Sequence, residues 1–236
     1  MAEIVYGKNS FEEALNAKRV IKAYVLKDSA YLNRLKAERI PFEIVERRTL
    51  DKLSKSGNHQ GFLAEVRSFK MAEVSSMIKK NNGLIVMLDG LKDPHNLGAI
   101  IRTCEGAGVD GLIYKRNRAV GITETVSKVA SGALEYVKIA EVGSLINTVK
   151  DLKKQGYWIV GADGQGKDLY DEIDYNMNTV LIIGSEGEGI SRLLLEQCDY
   201  VVKMPMNGHI NSLNASVAAG IMIYNVLSQR KNTRRV

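Results

Sequence analysis

Residues 179–190 read TVLIIGSEGEGI, an apolar run of strand length that ends on a loop with glycines at 184, 187 and 189. A short, continuous apolar run bounded by a turn signal suits a strand buried on both faces. The same pattern recurs at LIVMLD (84–89), GLIY (111–114), YWIVGAD (157–163) and YVVKMP (200–205), with helical patterns between. Apolar strands alternating with helices imply an α/β domain built on a mainly parallel sheet covered on both faces. A final helix is expected over 211–227, with QRKNTRRV as a basic tail. Ligands of such sheets bind beyond the carboxyl ends of the strands, which directs attention to the loops after 84–89, 179–184 and 200–205.

Upstream of Gly83 the strands are shorter and more polar. Strands are expected at Val20–Leu26, Phe42–Val45 and Gly61–Val66, with a helix at Ser29–Arg39. This reads as a small α/β domain over 1–68, a linker over 69–82 that could include a short helix and ends in Lys79-Lys80-Asn81-Asn82, and a larger domain over 83–236. The charge divides along the same line: residues 1–80 hold 16 Lys and Arg against 10 Asp and Glu, and residues 81–236 hold 17 against 17. The whole surplus of +6 therefore lies in the first third, as expected if that part attracts a polyanion and the rest performs chemistry. An ordinary solvated surface would also carry a surplus this small. No run approaches the roughly 20 apolar residues of a membrane span, and MAEIVYGKNS lacks the apolar run of a secretory signal, so the expected location is the cytoplasm. Cys104 and Cys198 have no metal-ligand spacing; reduced, partly buried thiols are expected, with neither disulfide nor zinc.

The first loop runs from Asp89 through Pro94-His95-Asn96-Leu97-Gly98 into a helix. Asn96 suits an N-cap, and Leu97, Ile100, Ile101 and Cys104 mark the buried face. Arg102 then points away from that face, toward solvent, substrate or a partner chain. In the second loop, Gly184-Ser-Glu186-Gly187-Glu188-Gly189 has the order G-x-x-G-x-G and not the G-x-G-x-x-G of a dinucleotide loop. Its two glutamates disfavour a phosphate ligand; a plain turn with solvated glutamates is the alternative. Gly161 to Lys167 matches the first part of a P-loop, but Asp168 stands where Ser or Thr would hold magnesium. The third loop, Met204-Pro205-Met206-Asn207-Gly208-His209-Ile210-Asn211-Ser212-Leu213-Asn214, gathers polar side chains at a helix start that continues in small residues.

Three motifs, D-P-x-N-x-G-x-x-x-R at 93–102, I-I-G-S-E-G-E-G-I at 182–190 and M-P-M-x-G-x-x-x-S-L-N-x-S at 204–216, occur in the order found in the SpoU (TrmH) family and resemble it closely. The first segment, with IVYGKNSFEEAL at 4–15 and HQG at 59–61, is similar to that family's RNA-recognition domain, most of all in the RlmB type. The resemblance implies a SPOUT-type domain with a trefoil knot, unusual since true knots are rare. It implies a homodimer that uses S-adenosylmethionine to methylate a ribose 2′-hydroxyl of structured RNA, a guanosine of large-subunit ribosomal RNA before transfer RNA, with no DNA or membrane partner and no metal. Ala162, Gly184, Met204 and Leu213 would hold the cofactor, and Asn96 and Arg102 would face the ribose. Glu186 would organise the site, and Ser212 and Asn214 would orient substrate or cofactor. Family proposals make Arg102 the general base; a guanidinium stays protonated at neutral pH, so binding a phosphate and stabilising the alkoxide fits its chemistry better. His95 and His209 are conceivable bases. A non-catalytic RNA-binding protein of the same fold, or a nucleotide-binding oxidoreductase, would be the other readings.

Overall fold

The computed structural model describes residues 2–55, 59–67, 69–116, 119–209 and 211–233. Ser68, the expected end of the first domain, Ile210 of the third loop and residues 234–236 of the tail lie outside them. The chain forms two compact units, residues 1–70 with 122–136, and residues 71–121 with 137–236.

The first unit begins with β1 (Ala2–Tyr6), α1 (Lys8–Asn16), β2 (Val20–Val25), α2 (Leu32–Ala37), β3 (Phe42–Ile44), α3 (Arg47–Ser54) and β4 (Phe62–Arg67). Its mixed sheet has the order β1-β4-β2-β3, with only the β2–β3 pair parallel. The expected strands are present, and the helix expected from Ser29 is confined to α2, with a turn before it. The sequence reading did not place β1, α1 or α3. The signal for α1 was there: Phe11, Ala14 and Leu15 follow helical spacing and are buried. The HQG segment is built in: buried His59 accepts from Gly61 N at 3.0 Å on Nδ1 and faces Asp51 Oδ1 at 3.0 Å through Nε2. Gln60 Oε1 accepts from Lys8 N at 2.9 Å, which fastens this turn to the start of α1.

The second unit holds β5 (Leu84–Asp89), α4 (Pro94–Ala107) and β6 (Gly111–Lys115); α5 (Glu124–Ala130) belongs to the first unit. It continues with β7 (Ile139–Val142), α6 (Leu145–Lys154), β8 (Trp158–Ala162), β9 (Asp168–Leu169), β10 (Thr179–Gly184), α7 (Arg192–Leu195), β11 (Tyr200–Lys203) and α8 (Ala215–Thr233). All seven strands are parallel, in the order β7-β6-β5-β10-β8-β11-β9. The central strands β5 and β10 are buried on both faces, which is why they read as unbroken apolar runs. β7 and β9 escaped the reading because one is short and partly exposed and the other has two residues.

The short helix that the 69–82 stretch allows is a 3-10 turn at Val74–Met77; it buries Met77 in the core of the second unit, and Ala72 N bonds Ile139 O. Two expectations change. The last helix begins at Ala215, four residues later than expected, because Asn214 caps it, and it extends to Thr233. The expected basic tail is therefore helical there, and Arg230 donates to the carbonyls of Asn82, Gly83, Tyr175 and Met177. Carbonyls gathered where loops meet attract a guanidinium, whose five donors suit them.

Candidate functional site

The carboxyl ends of β5, β8, β10 and β11 deliver their loops to one edge of the parallel sheet. The first loop enters α4 with a correction to the expected cap: Asp93, not Asn96, is the N-cap, accepting from His95 N at 2.9 Å, and Pro94 takes the first helical position. Asn96 thereby lies inside the first turn with its amide free of capping duty. Leu97, Ile100, Ile101 and Cys104 are buried as expected.

The amide of Asn96 instead turns to the second loop. Glu186 Oε1 accepts from Asn96 Nδ2 at 2.9 Å, Asn214 Nδ2 at 2.6 Å and Ala215 N at 3.4 Å. Asn214 Nδ2 also donates to Asn96 Oδ1 at 2.9 Å. The other end of the Asn214 amide is fixed by α8: its Oδ1 accepts from Ser216 N at 2.9 Å, Ser216 Oγ at 2.6 Å and Val217 N at 3.3 Å. One side chain thus caps α8 and joins residues 96 and 186, which are far apart in sequence.

The second loop folds back tightly. Ser185 and Gly189 form an antiparallel bridge, and a Cβ on Gly184 would lie 2.1 Å from the Gly189 carbonyl carbon. Only glycine fits there. Two carboxylates that the sequence reading passed over hold the loop: Asp163 Oδ2 accepts from Ile190 N at 3.3 Å, and Asp89 Oδ2 accepts from Ser191 N at 2.8 Å. Their signal was an aspartate at or just beyond the end of an apolar strand. The partial P-loop is no phosphate cradle: it leads into β9, and Gly166 packs against the backbone of Val201–Lys203.

Between these loops lies a cleft of about 750 Å³ lined in part by Ala162, Gly184, Glu186, Met204, Ser212 and Leu213. Asn96 is buried behind it, while Arg102 stands apart, exposed on α4 with no ion pair among the described residues. Six residues of helix separate Asn96 and Arg102 by about 9 Å along the axis. His95 and His209 are exposed.

A mixed four-stranded unit, a seven-stranded all-parallel unit and a polar cleft at the carboxyl edge of the latter define a two-domain α/β protein of SPOUT-like fold. The model of the SpoU rRNA methylase family matches residues 83–224, and that for the RNA 2′-O ribose methyltransferase substrate-binding domain matches residues 4–72. The chain belongs to the SpoU methylase family. It is 38% identical over 240 residues to YacO of Bacillus subtilis (strain 168), a protein assigned to the TrmH family of tRNA/rRNA methyltransferases, covering 97% of this chain and 96% of that one. The SpoU methyltransferase AviRb from Streptomyces viridochromogenes, solved with AdoMet, superposes with a TM-score of 0.86 at 24% identity, over 98% of this chain and 91% of that one. The TrmH/SpoU tRNA modifying enzyme of A. aeolicus is 33% identical, with a TM-score of 0.59, over 67% and 80% of the two chains.

Proposed function

We propose that this protein is a homodimeric methyltransferase that uses S-adenosylmethionine to methylate the ribose 2′-hydroxyl of a guanosine in large-subunit ribosomal RNA, as an RlmB-type enzyme. The observation that carries the reading is the convergence of Asn96, Glu186 and Asn214 in one hydrogen-bonded network, of which Glu186 lines the cleft. The cleft suits this cofactor. Its lining holds the carboxylates of Asp163, Glu186 and Glu188 against the one ammonium of Lys203, a balance that favours a positive centre over a phosphate. S-adenosylmethionine, when bound, supplies an electrophilic methyl group on a cationic sulfur. Ala162, Gly184, Met204 and Leu213 would hold it, and the knot that the family resemblance implies would keep their loops together.

The chain's own contribution is alignment and electrostatics. Glu186 holds two amide groups at fixed orientation, so Asn96 and Asn214 present a preorganised polar wall to the ribose, and Ser212 orients substrate at the cleft rim. Arg102, with no ion pair among the described residues, binds the phosphate next to the target and stabilises the developing alkoxide, while the proton leaves to that phosphate or to water. The dimer is supported by α8, where Val217, Ile221 and Tyr224 form an exposed apolar stripe at helical spacing. The same arrangement weighs against a non-catalytic RNA-binding protein, which would have no need of the network. Domains at 1–68 and 83–236 fit the two family matches, and the basic first third suits RNA.

The test is methyl transfer from labelled S-adenosylmethionine to unmodified large-subunit ribosomal RNA and to bulk transfer RNA, read by nucleoside mass spectrometry. Label as 2′-O-methylguanosine in ribosomal RNA alone is the expected result. Label in transfer RNA overturns the substrate, and no transfer to either pool or to an assembly intermediate overturns the catalytic reading.

A further inference from the structure

The amino-terminal edge of the seven-stranded sheet, opposite the cleft, carries side chains that methyl transfer does not use. Trp158, the one tryptophan of the chain, opens β8 with 46% of its surface exposed. Half-buried Tyr200 opens β11, with its ring centre 5.9 Å away and tilted by 34°. The residues that follow Trp158 in β8, Ile159, Val160 and Gly161, are buried, so the indole stands at the limit of the core. Large aromatic side chains left in water at such a place mark contact surfaces more than packing.

The surroundings are basic. Lys153 Nζ lies 2.7 Å from Asp199 Oδ1, directly before Tyr200, and exposed Lys150 and Lys154 share the same end of α6. On the other side, Trp158 N donates to Asn178 O at 2.8 Å, and Asn178 Nδ2 donates to the carbonyls of Lys79 and Lys80 at 3.3 and 3.1 Å. That brings the backbone of Lys79 and Lys80, both exposed, to the same edge of the sheet, with Lys79 Nζ reaching Asp110 Oδ1 at 3.6 Å. Asp110, Asp151 and Asp199 offset part of this charge, through exposed or partly exposed ion pairs that salt screens readily. Five lysines against three aspartates leave the rim positive.

Aromatic rings bordered by lysines are what an unpaired base with its flanking phosphates recognises. An apolar protein partner would ask for an apolar rim, and a lone phosphate has no use for an indole. We propose that this edge is a second RNA contact, in which Trp158 and Tyr200 stack an unpaired base and the lysines neutralise the adjoining phosphates. The inference rests on RNA being the substrate, though not on which RNA. Five residues of β8 place this edge about 17 Å from the cleft, a span that a structured RNA bridges easily.

Because the chain has a single tryptophan, its emission reports this site directly. Titrating the full-length protein with single-stranded oligoadenylate of about ten nucleotides, which is no methylation substrate under the proposed function, should quench Trp158 and weaken with added salt. Trp158→Ala should lower oligonucleotide affinity about tenfold, and Lys79→Gln with Lys80→Gln should flatten the salt dependence, both with S-adenosylmethionine affinity unchanged. Emission unchanged by RNA, or oligonucleotide affinity unchanged in Trp158→Ala, overturns the proposal. So does emission that shifts with protein concentration alone, which would assign the edge to self-association. None of these outcomes depends on whether ribosomal or transfer RNA is methylated.

Discussion

At the scale of the residue, the site turns on one carboxylate oxygen that accepts three hydrogen bonds, from Asn96, Asn214 and the amide of Ala215. Replacing Glu186 by Gln keeps the shape but makes two amides share an acceptor that can present an NH₂ instead. Asn214→Ala removes the link and the α8 cap together. Losing a partner of a buried polar group costs about 1–3 kcal/mol, so each variant should lower methyl transfer by about tenfold to a hundredfold. A spectrum of native secondary structure alongside the assay separates loss of the network from loss of fold, and full activity in Glu186→Gln would remove this residue from the site. Arg102 calls for a different pair. Arg102→Ala should abolish transfer under either proposed role, whereas Arg102→Lys should retain a measurable part if charge next to a phosphate is what matters. Complete loss in the lysine variant at saturating RNA would favour the general-base role.

Between residue and site stand the elements that make the loops rigid. The second loop returns on itself so closely that a methyl group at Gly184 would sit 2.1 Å from the Gly189 carbonyl carbon, deep inside van der Waals contact, and backbone cannot move aside as a flexible side chain can. Gly184→Ala should therefore destabilise the protein by about 3 kcal/mol or more and abolish S-adenosylmethionine binding. Gly187, three residues on, has open space around its Cβ position and no positive φ, so Gly187→Ala should change stability by no more than about 0.5 kcal/mol. Thermal melts with and without cofactor compare the two, and equal behaviour would contradict the packing argument. At α8, Ile221 lies at the middle of the exposed apolar stripe between Val217 and Tyr224. Ile221→Asp should convert the proposed dimer to monomer in sedimentation at micromolar concentration, since an unpaired charge in an apolar interface is strongly disfavoured.

For the whole molecule, pH acts through groups that the core keeps neutral. Burial, with help from Asp199, pushes the Cys198 thiol from an ordinary value near 9 up to about 12. Burial pushes the Tyr114 hydroxyl up to about 12 as well, and this oxygen has no hydrogen-bond partner among the described residues. Cys104, fully enclosed, is raised also. In the unfolded chain these groups release protons from about pH 9 upward, whereas in the folded protein they hold them to about pH 12. The folded state therefore binds more protons in that window, and stability that is complete below about pH 9 is lost progressively above it. Urea midpoints measured across the window should fall with rising pH, while a flat profile would show that these groups do not control alkaline stability.

Five of the seven strands of the parallel sheet and the buried face of α4 are legible in the sequence because burial on both faces, or on one helical stripe, imposes a run or a period on neighbouring residues; β7 and β9 are too short or too exposed to carry one. The three motif loops were legible for the same local reason: strand, glycine and polar cluster follow one another along the chain. Asn96 was read as a cap because a cap is a local device, and local chemistry alone cannot tell it from a residue that bonds a carboxylate 90 positions later. Which loop meets which, the tasks of Asp89 and Asp163, the binding of Arg230 to distant carbonyls and the pairing of Trp158 with Tyr200 were decided only by the tertiary structure. They depend on strand order in the sheet, and strand order leaves no period in the sequence, since a parallel strand carries the same apolar run whichever neighbour it finds.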